Sequence, residues 1–259
     1  MSFSEAEYRQ LGSTGITLSP IGLGTVKLGR NTNVKYPKAF DLPDDDTVTK
    51  LLATAQRLGI NYLDTAPAYG TSEERLGRLI SDRGAWIIST KVGERYDNGT
   101  STFDFSRAAT EDSVRASLER LQTSYLDLVL VHSDGNDEAV IGQTDILDTL
   151  GQLKSAGHIR AIGVSTKTVT GGLLAIEVAD VVMVAYNTED TSQMPVIERA
   201  LELEEGILVK KPLASGHADN IGESLRFALA QPAVTSVVVG TINPVHLQAN
   251  IDALETSPS

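Results

Sequence analysis

The 259-residue chain has no cysteine, which excludes disulfides, iron–sulfur clusters, thiolate zinc sites and thiol nucleophiles together. Aromatic residues make up only 5%, leaving few flat platforms on which sugars or bases could stack. Positive charge is scarce: 22 Lys and Arg face 34 Asp and Glu, a formal net charge of −12. The attraction that drives nucleic-acid binding is therefore missing, and an acidic membrane leaflet would repel this surface. No run approaches the roughly 18 apolar residues of a membrane helix. The opening MSFSEAEYRQ has no apolar stretch after a basic cluster. These absences predict a cytoplasmic protein with neither a nucleic-acid nor a membrane partner.

What is present is an ordinary globular composition, 41% hydrophobic and 22% charged. Eight short apolar, β-branched runs recur: SPIGLGT, INYLDT, WIISTK, YLDLVLVH, IRAIGVS, VVMVAYN, ILVKK and SVVVG. They are continuously apolar rather than alternating, the pattern of parallel strands buried on both faces. Segments with helical spacing lie between them. Asp46 is expected to cap the first, Ser72 the second, and Thr110 or Asp112 to open the third. Strict alternation of eight strands with eight helices predicts an α/β fold, a closed (β/α)₈ TIM barrel of one domain over residues 1–259. Residues 8–19, around GSTG, read as a β-hairpin closing the barrel floor, and 255–259 as a disordered tail.

In such a barrel the chemistry is built at the C-terminal ends of the strands. Asp64 ends strand 2, Tyr69 follows in its loop, Lys91 ends strand 3 and His132 ends strand 4. Each has an ordinary structural explanation alone, but four on adjacent strand ends suit proton donation to a carbonyl oxygen. A tyrosine with a pKa near 10 is a reluctant acid, and the Lys91 ammonium is expected to stabilise its tyrosinate. Asp64 supplies the counter-charge that keeps Lys91 protonated at an apolar barrel mouth. His132, if neutral, can donate a hydrogen bond to the carbonyl oxygen. None of the four is a reductant, and no metal site is expected.

DTAPAYG, STKVG, DLVLVHSDG, HIRAIGVS, KKPLASG and VVVGTINPVHLQAN together resemble the motifs of the aldo-keto reductase family over nearly the whole chain. The resemblance implies a barrel that uses a nicotinamide cofactor, usually NADP(H), to reduce aldehydes and ketones. It implies Asp64, Tyr69, Lys91 and His132 as the catalytic tetrad, with Tyr69 as general acid. It also implies cofactor contacts from Gly24, Thr25, Asp64, Ser165, Thr166, Met183, Lys210, Pro212, Leu213, Ser215, Gly240, Thr241, His246 and Asn250. The fingerprint GxGxxG is absent, since GLGTVK lacks the third glycine. A barrel reductase instead holds phosphates in the loops after strands 7 and 8, here KKPLASG and GTINP.

Several positions depart from the family pattern. Where Ser-Asn usually contacts the nicotinamide amide, this chain has Ser165 and Thr166; where a glutamine completes that contact, it has Met183. A tyrosine commonly stacks on the ring at the end of strand 7, the position of Lys210. A basic pair for the 2′-phosphate is replaced by Gly240, Thr241 and, farther on, His246. NADP(H) is favoured, with NAD(H) as the alternative. The loop after strand 1 carries Lys27, Arg30, Lys35 and Lys38, which reads as a solvated loop or as a preference for an anionic carbonyl substrate. An open, permissive site on a monomer or weak homo-oligomer is expected, because no long loop follows helix 8.

Two other readings compete. A glycosidase pairing Asp64 with Asp134 or Glu189 leaves Lys91 and Tyr69 without a task. A catalytically weak nucleotide-binding sensor or regulatory subunit on the same barrel would explain Thr166, Met183 and Lys210, but not an intact tetrad.

Overall fold

A computed structural model describes residues 2–255. The chain enters through an antiparallel hairpin of β1 (Arg9–Gln10) and β2 (Thr17–Leu18). The barrel begins with β3 (Ile21–Gly24), β4 (Tyr62–Asp64) and β5 (Ile87–Val92). A second hairpin follows, β6 (Glu94–Asp97) with β7 (Thr100–Phe103). The barrel then continues through β8 (Leu126–His132), β9 (Ile159–Ser165), β10 (Val181–Ala185), β11 (Gly206–Lys210) and β12 (Val234–Gly240). Its eight strands are parallel, and β12 pairs with β3 to close the ring. With helices between the strands, this is a (β/α)₈ TIM barrel.

The closure follows from where the apolar side chains go. Inside the ring, Tyr62, Leu128, Leu130, Val181, Met183 and Leu208 form one cluster, into which Leu11, Ile16 and Leu18 of the N-terminal hairpin insert. The hairpin is tied below the barrel by Arg9 Nη1, which donates to Val234 O at 2.8 Å, and by Thr235 Oγ1, which donates to Gln10 O at 3.1 Å. It therefore stoppers the floor, each fully buried aliphatic contributing about 1.5–3 kcal/mol. The outer faces of the strands pack on helices such as Asp45–Arg57, which buries Val48, Leu51, Leu52 and Ala55 at helical spacing.

Three helix starts differ from expectation. Asp44, not Asp46, caps the first long helix, accepting from Thr47 N at 2.8 Å, while Asp46 sits in the first turn. Ser72 is the first residue of its helix and turns inward to donate to Thr25 Oγ1 at 2.8 Å, leaving Thr71 at the cap position. The third helix begins earlier, at Arg107 with Ser106 as its cap, so Thr110 and Asp112 are interior. The β6–β7 hairpin was also unexpected, although Asn98-Gly99 at its tip, with φ of 48° and 83°, is the usual two-residue hairpin turn. Glu255 still belongs to the last helix, Pro244–Glu255, and 256–259 lie outside the described residues. Among the described residues no helix is long and apolar enough to cross a membrane.

Candidate active site

Asp64, Lys91 and His132 come together because β4, β5 and β8 are neighbours in the ring. Lys91 Nζ donates to Asp64 Oδ1 at 2.6 Å and to Thr65 O at 2.8 Å, and Ser89 Oγ donates to the same carboxylate oxygen at 2.9 Å. Both charges are buried, with side-chain exposures of 2% and 6%. Tyr69 reaches them from a short 3₁₀ turn, Pro67–Tyr69, and Lys91 Nζ lies 4.8 Å from the centre of its ring. Two glycines hold this turn against the Val26–Gly29 helix: a Cβ on Gly29 would lie 2.3 Å from Tyr69 O, and one on Gly70, where φ is 61°, would lie 2.2 Å from Gly29 O. No other residue type permits that approach. Arg30 Nη1 adds a hydrogen bond to Ala68 O at 3.1 Å.

The electrostatics depart from the sequence reading in two respects. Tyr69 is not made more acidic. Burial, followed by the charge of Asp64, Tyr36 and Glu94, pushes its hydroxyl well above 10, with Arg30 acting the other way. Lys91 has its charge committed to Asp64. The second departure is at His132, whose Nδ1 lies 2.7 Å from Glu94 Oε2, close but off the ring's N–H axis. Burial, with Lys91 and Lys210, holds the imidazole below its usual 6.5, while Glu94 opposes that shift. A carboxylate at Nδ1 favours the proton on that nitrogen, so the neutral ring offers a lone pair at Nε2. The neutral ring expected from sequence agrees with this downward shift, but with its proton on Nδ1 the ring accepts rather than donates at Nε2. Glu94 itself resists burial and is held down to about 2 by His132, Ser101 and Arg30; Ser101 Oγ donates to its Oε1 at 2.6 Å.

On the opposite wall, β9, β10 and β11 align Ser165 with Met183 and Ala185 with Lys210. Lys210 Nζ donates to Ser165 Oγ and Thr166 O, both at 2.8 Å. Burial first, then Lys211, Lys91 and Lys167, lowers its ammonium to about 7. Thr166 Oγ1, nearly fully buried, and Gln193 Oε1 have no hydrogen-bond partner. A cleft of about 650 Å³ joins the two walls, lined among others by Gly24, Thr25, Asp64, Tyr69, His132, Thr166, Lys210, Pro212, Leu213, Ser215 and Gly240. Ser165 and Lys91 lie just behind this lining. Met183 points into the barrel interior instead, and Thr241, His246 and Asn250 lie outside the lining, His246 exposed and Asn250 buried.

A family model described as "Aldo/keto reductase family" matches residues 20–220. The chain belongs to the aldo/keto reductase family. A solved structure of a putative aldo-keto reductase from Pseudomonas aeruginosa is 50% identical, covers 97% of this chain and 95% of its own, and superposes with a TM-score of 0.90. An uncharacterized oxidoreductase, YqkF, of Bacillus subtilis is 30% identical over 95% of this chain and 90% of its own length. The L-galactose dehydrogenase of Arabidopsis thaliana is 28% identical over 97% and 89%.

Aldo/keto reductases use nicotinamide cofactors, and the cleft fits one. Two unpartnered polar atoms and a lysine surround a place where an amide could bind, and residues of the loops after β11 and β12, Pro212, Leu213, Ser215, Gly216 and Gly240, line the same cleft. Two residues of this aldo/keto reductase escaped the sequence reading. Glu94 sits on a hairpin whose Asn-Gly signal was available but unused. Tyr36 comes from the long loop after β3, lines the cleft and approaches Gly240, and its hydroxyl is pushed up to about 12 by burial and by Asp64. Only a three-dimensional placement of that loop reveals it. Lys27 in the same loop stacks its ammonium 3.9 Å from the Tyr36 ring, and Arg30 is spent on Thr32, Asn33 and Ala68 carbonyls. The expected group of free loop cations shrinks to Lys35 and Lys38.

Proposed function

We propose that this aldo/keto reductase reduces small aldehydes or ketones, with Tyr69 donating the proton to the carbonyl oxygen. The observation that carries the reading is the convergence of Tyr69, His132 and the buried Lys91–Asp64 pair on one wall of a single cleft. The bound reduced nicotinamide supplies the hydride. A phenol held above 10 keeps its proton across the working pH range and releases it only when negative charge develops on the oxygen within its reach. Lys91, fixed 4.8 Å from the ring by Asp64, stabilises the phenolate left behind without needing to move. His132, whose imidazole burial holds below its usual 6.5, stands edge-on to the Tyr69 ring on the same wall and positions the carbonyl beside the phenol.

NADP(H) is the proposed cofactor. The helix Pro244–Glu255 opens four residues after Gly240 and carries His246, exposed, in its first turn, where its imidazole can meet a 2′-phosphate. Ser165, Thr166 and Lys210 are the proposed amide-binding residues, while Met183, facing inward, is replaced in that task. The substrate is proposed to be small and not closely selected, since the cleft is wide and open. The test is to mix the protein with NADPH or NADH and a panel of small aldehydes and follow loss of reduced-nicotinamide absorbance. Turnover across the panel, with a higher kcat/KM for NADPH, is expected. Tight cofactor binding with no turnover for any aldehyde would favour the sensor reading, and a preference for NADH would overturn the cofactor assignment.

A further inference from the structure

Lys210 takes no part in the tetrad chemistry, and its setting among the lysines that line the cleft is specific. It ends β11 directly across the cleft from Tyr69 and His132. Two of its three N–H groups are committed, to Ser165 Oγ and Thr166 O at 2.8 Å each, so its position is fixed. Among the described residues no carboxylate pairs with it, whereas the other deep lysine, Lys91, is neutralised by Asp64. Beside it, Thr166 Oγ1 is buried without a partner and the cleft is open. Its field reaches the reaction wall, since Lys210 and Lys91 both depress the proton affinity of His132. A ring that passes hydride to a carbonyl held at Tyr69 and His132 must lie in the same cleft, and so within that field.

The two oxidation states of a nicotinamide differ there by one unit of charge. When the hydride, two electrons and one proton, leaves for the carbonyl carbon, the ring becomes a cation, and the negative charge on the carbonyl oxygen is cancelled by the Tyr69 proton. We propose that Lys210 is a specificity-determining residue for cofactor oxidation state: its fixed, unpaired ammonium disfavours the cationic oxidised ring, so the cleft binds reduced cofactor more tightly and favours carbonyl reduction over alcohol oxidation. This rests on the nicotinamide reading above and adds the direction in which the site is poised.

The charge is also adjustable, because the ammonium titrates at about 7 under burial and the facing Lys211, Lys91 and Lys167, with Asp137 acting oppositely. Below that value Lys210 is charged and discrimination is full; above it the charge, and with it the discrimination, is lost. His132 titrates nearby and is released from the Lys210 charge in Lys210→Met but not in Lys210→Arg, so Lys210→Arg is the control for it, and any 2′-phosphate is common to both cofactor forms. A ratio of affinities compared between variants therefore isolates Lys210.

The experiment is calorimetric titration of NADPH and of NADP⁺ into wild type, Lys210→Met and Lys210→Arg at about pH 6 and about pH 8.5, with circular dichroism to monitor folding. At the lower pH the ratio Kd(oxidised)/Kd(reduced) is expected to be about tenfold higher in wild type than in Lys210→Met, the size of one unit-charge interaction in a partly solvated cleft. Wild type should approach Lys210→Met at the higher pH, and Lys210→Arg should keep the high ratio at both. If Lys210→Met does not fold, the wild-type pH dependence and its absence in Lys210→Arg decide. Equal ratios in wild type and Lys210→Met at the lower pH, or a pH-independent wild-type ratio, would overturn the inference alone. Failure of both cofactor forms to bind wild type would overturn it together with the cofactor reading.

Discussion

The two walls of the cleft handle charge in opposite ways. On the wall from β4, β5 and β8 the charges are paired: Lys91 with Asp64, and Glu94 against His132. On the wall from β9 to β12 and the loop after β3, Lys35, Lys167, Lys210 and Lys211 line the cleft, and none forms an ion pair among the described residues. Lys211 is lowered by burial and then by Lys35 and Lys167, with Asp190 as its acidic counterweight. A paired, buried cluster is organised before anything binds, which suits groups that must act on a reacting atom. Unpaired cations in an otherwise acidic chain are organised for a ligand that brings its own negative charge. The proposed division of labour gives the first wall the chemistry and the second the cofactor and its oxidation state.

The largest expected effect breaks the first wall. Lys91→Met leaves Asp64 buried without its cation, and a loss of about 3–5 kcal/mol in urea denaturation is expected. Unchanged stability would mean that the pair is not buried as described. Next comes the turn that carries Tyr69. Gly29→Ala would push a methyl group against Tyr69 O and Ser72 N, which should cost about 1–3 kcal/mol and lower turnover by displacing the phenol. A fully stable and active Gly29→Ala protein would contradict the close packing.

A smaller effect sharpens the role of Glu94. Because Glu94 raises the proton affinity of His132, Glu94→Gln should move the His132 titration, followed by NMR of its ring protons, to lower pH. The same substitution tests linkage. A carboxyl held at about 2 when folded, against about 4.3 unfolded, stabilises the fold fully above the higher value and loses that contribution as pH falls through the lower one. Wild type should therefore show a steeper loss of stability between those two values than Glu94→Gln, and parallel curves would remove the contact from the account.

How much could be read from the chain alone depended on distance along it. The barrel and the wall of Asp64, Tyr69, Lys91 and His132 were legible because a polar group ending an apolar strand is a local signal, and β4, β5 and β8 become neighbours by the ordinary order of the fold. Met183 shares its inward face with Ser165 but packs against Leu208 and Val181 beneath the cleft lining, a depth that the strand pattern alone does not give. Lys210 was placed correctly at a strand end. Its two hydrogen bonds, and so its fixed position, depend on β9 and β11 flanking β10, a long-range fact. Tyr36 and Glu94 arrive on loop excursions whose path no periodicity encodes. The caps slipped by a few residues because Asp44, Asp45 and Asp46 are chemically equal, and the extended backbone at Asp44 chooses between them.

The central claim is that the proton comes from Tyr69. Wild type and Tyr69→Phe, each saturated with reduced cofactor and mixed with excess small aldehyde, give a direct comparison through the decay of nicotinamide absorbance in a single turnover. The account predicts a loss of about 10²- to 10⁴-fold in the Tyr69→Phe rate with cofactor Kd unchanged, whereas equal rates in the two proteins would contradict it.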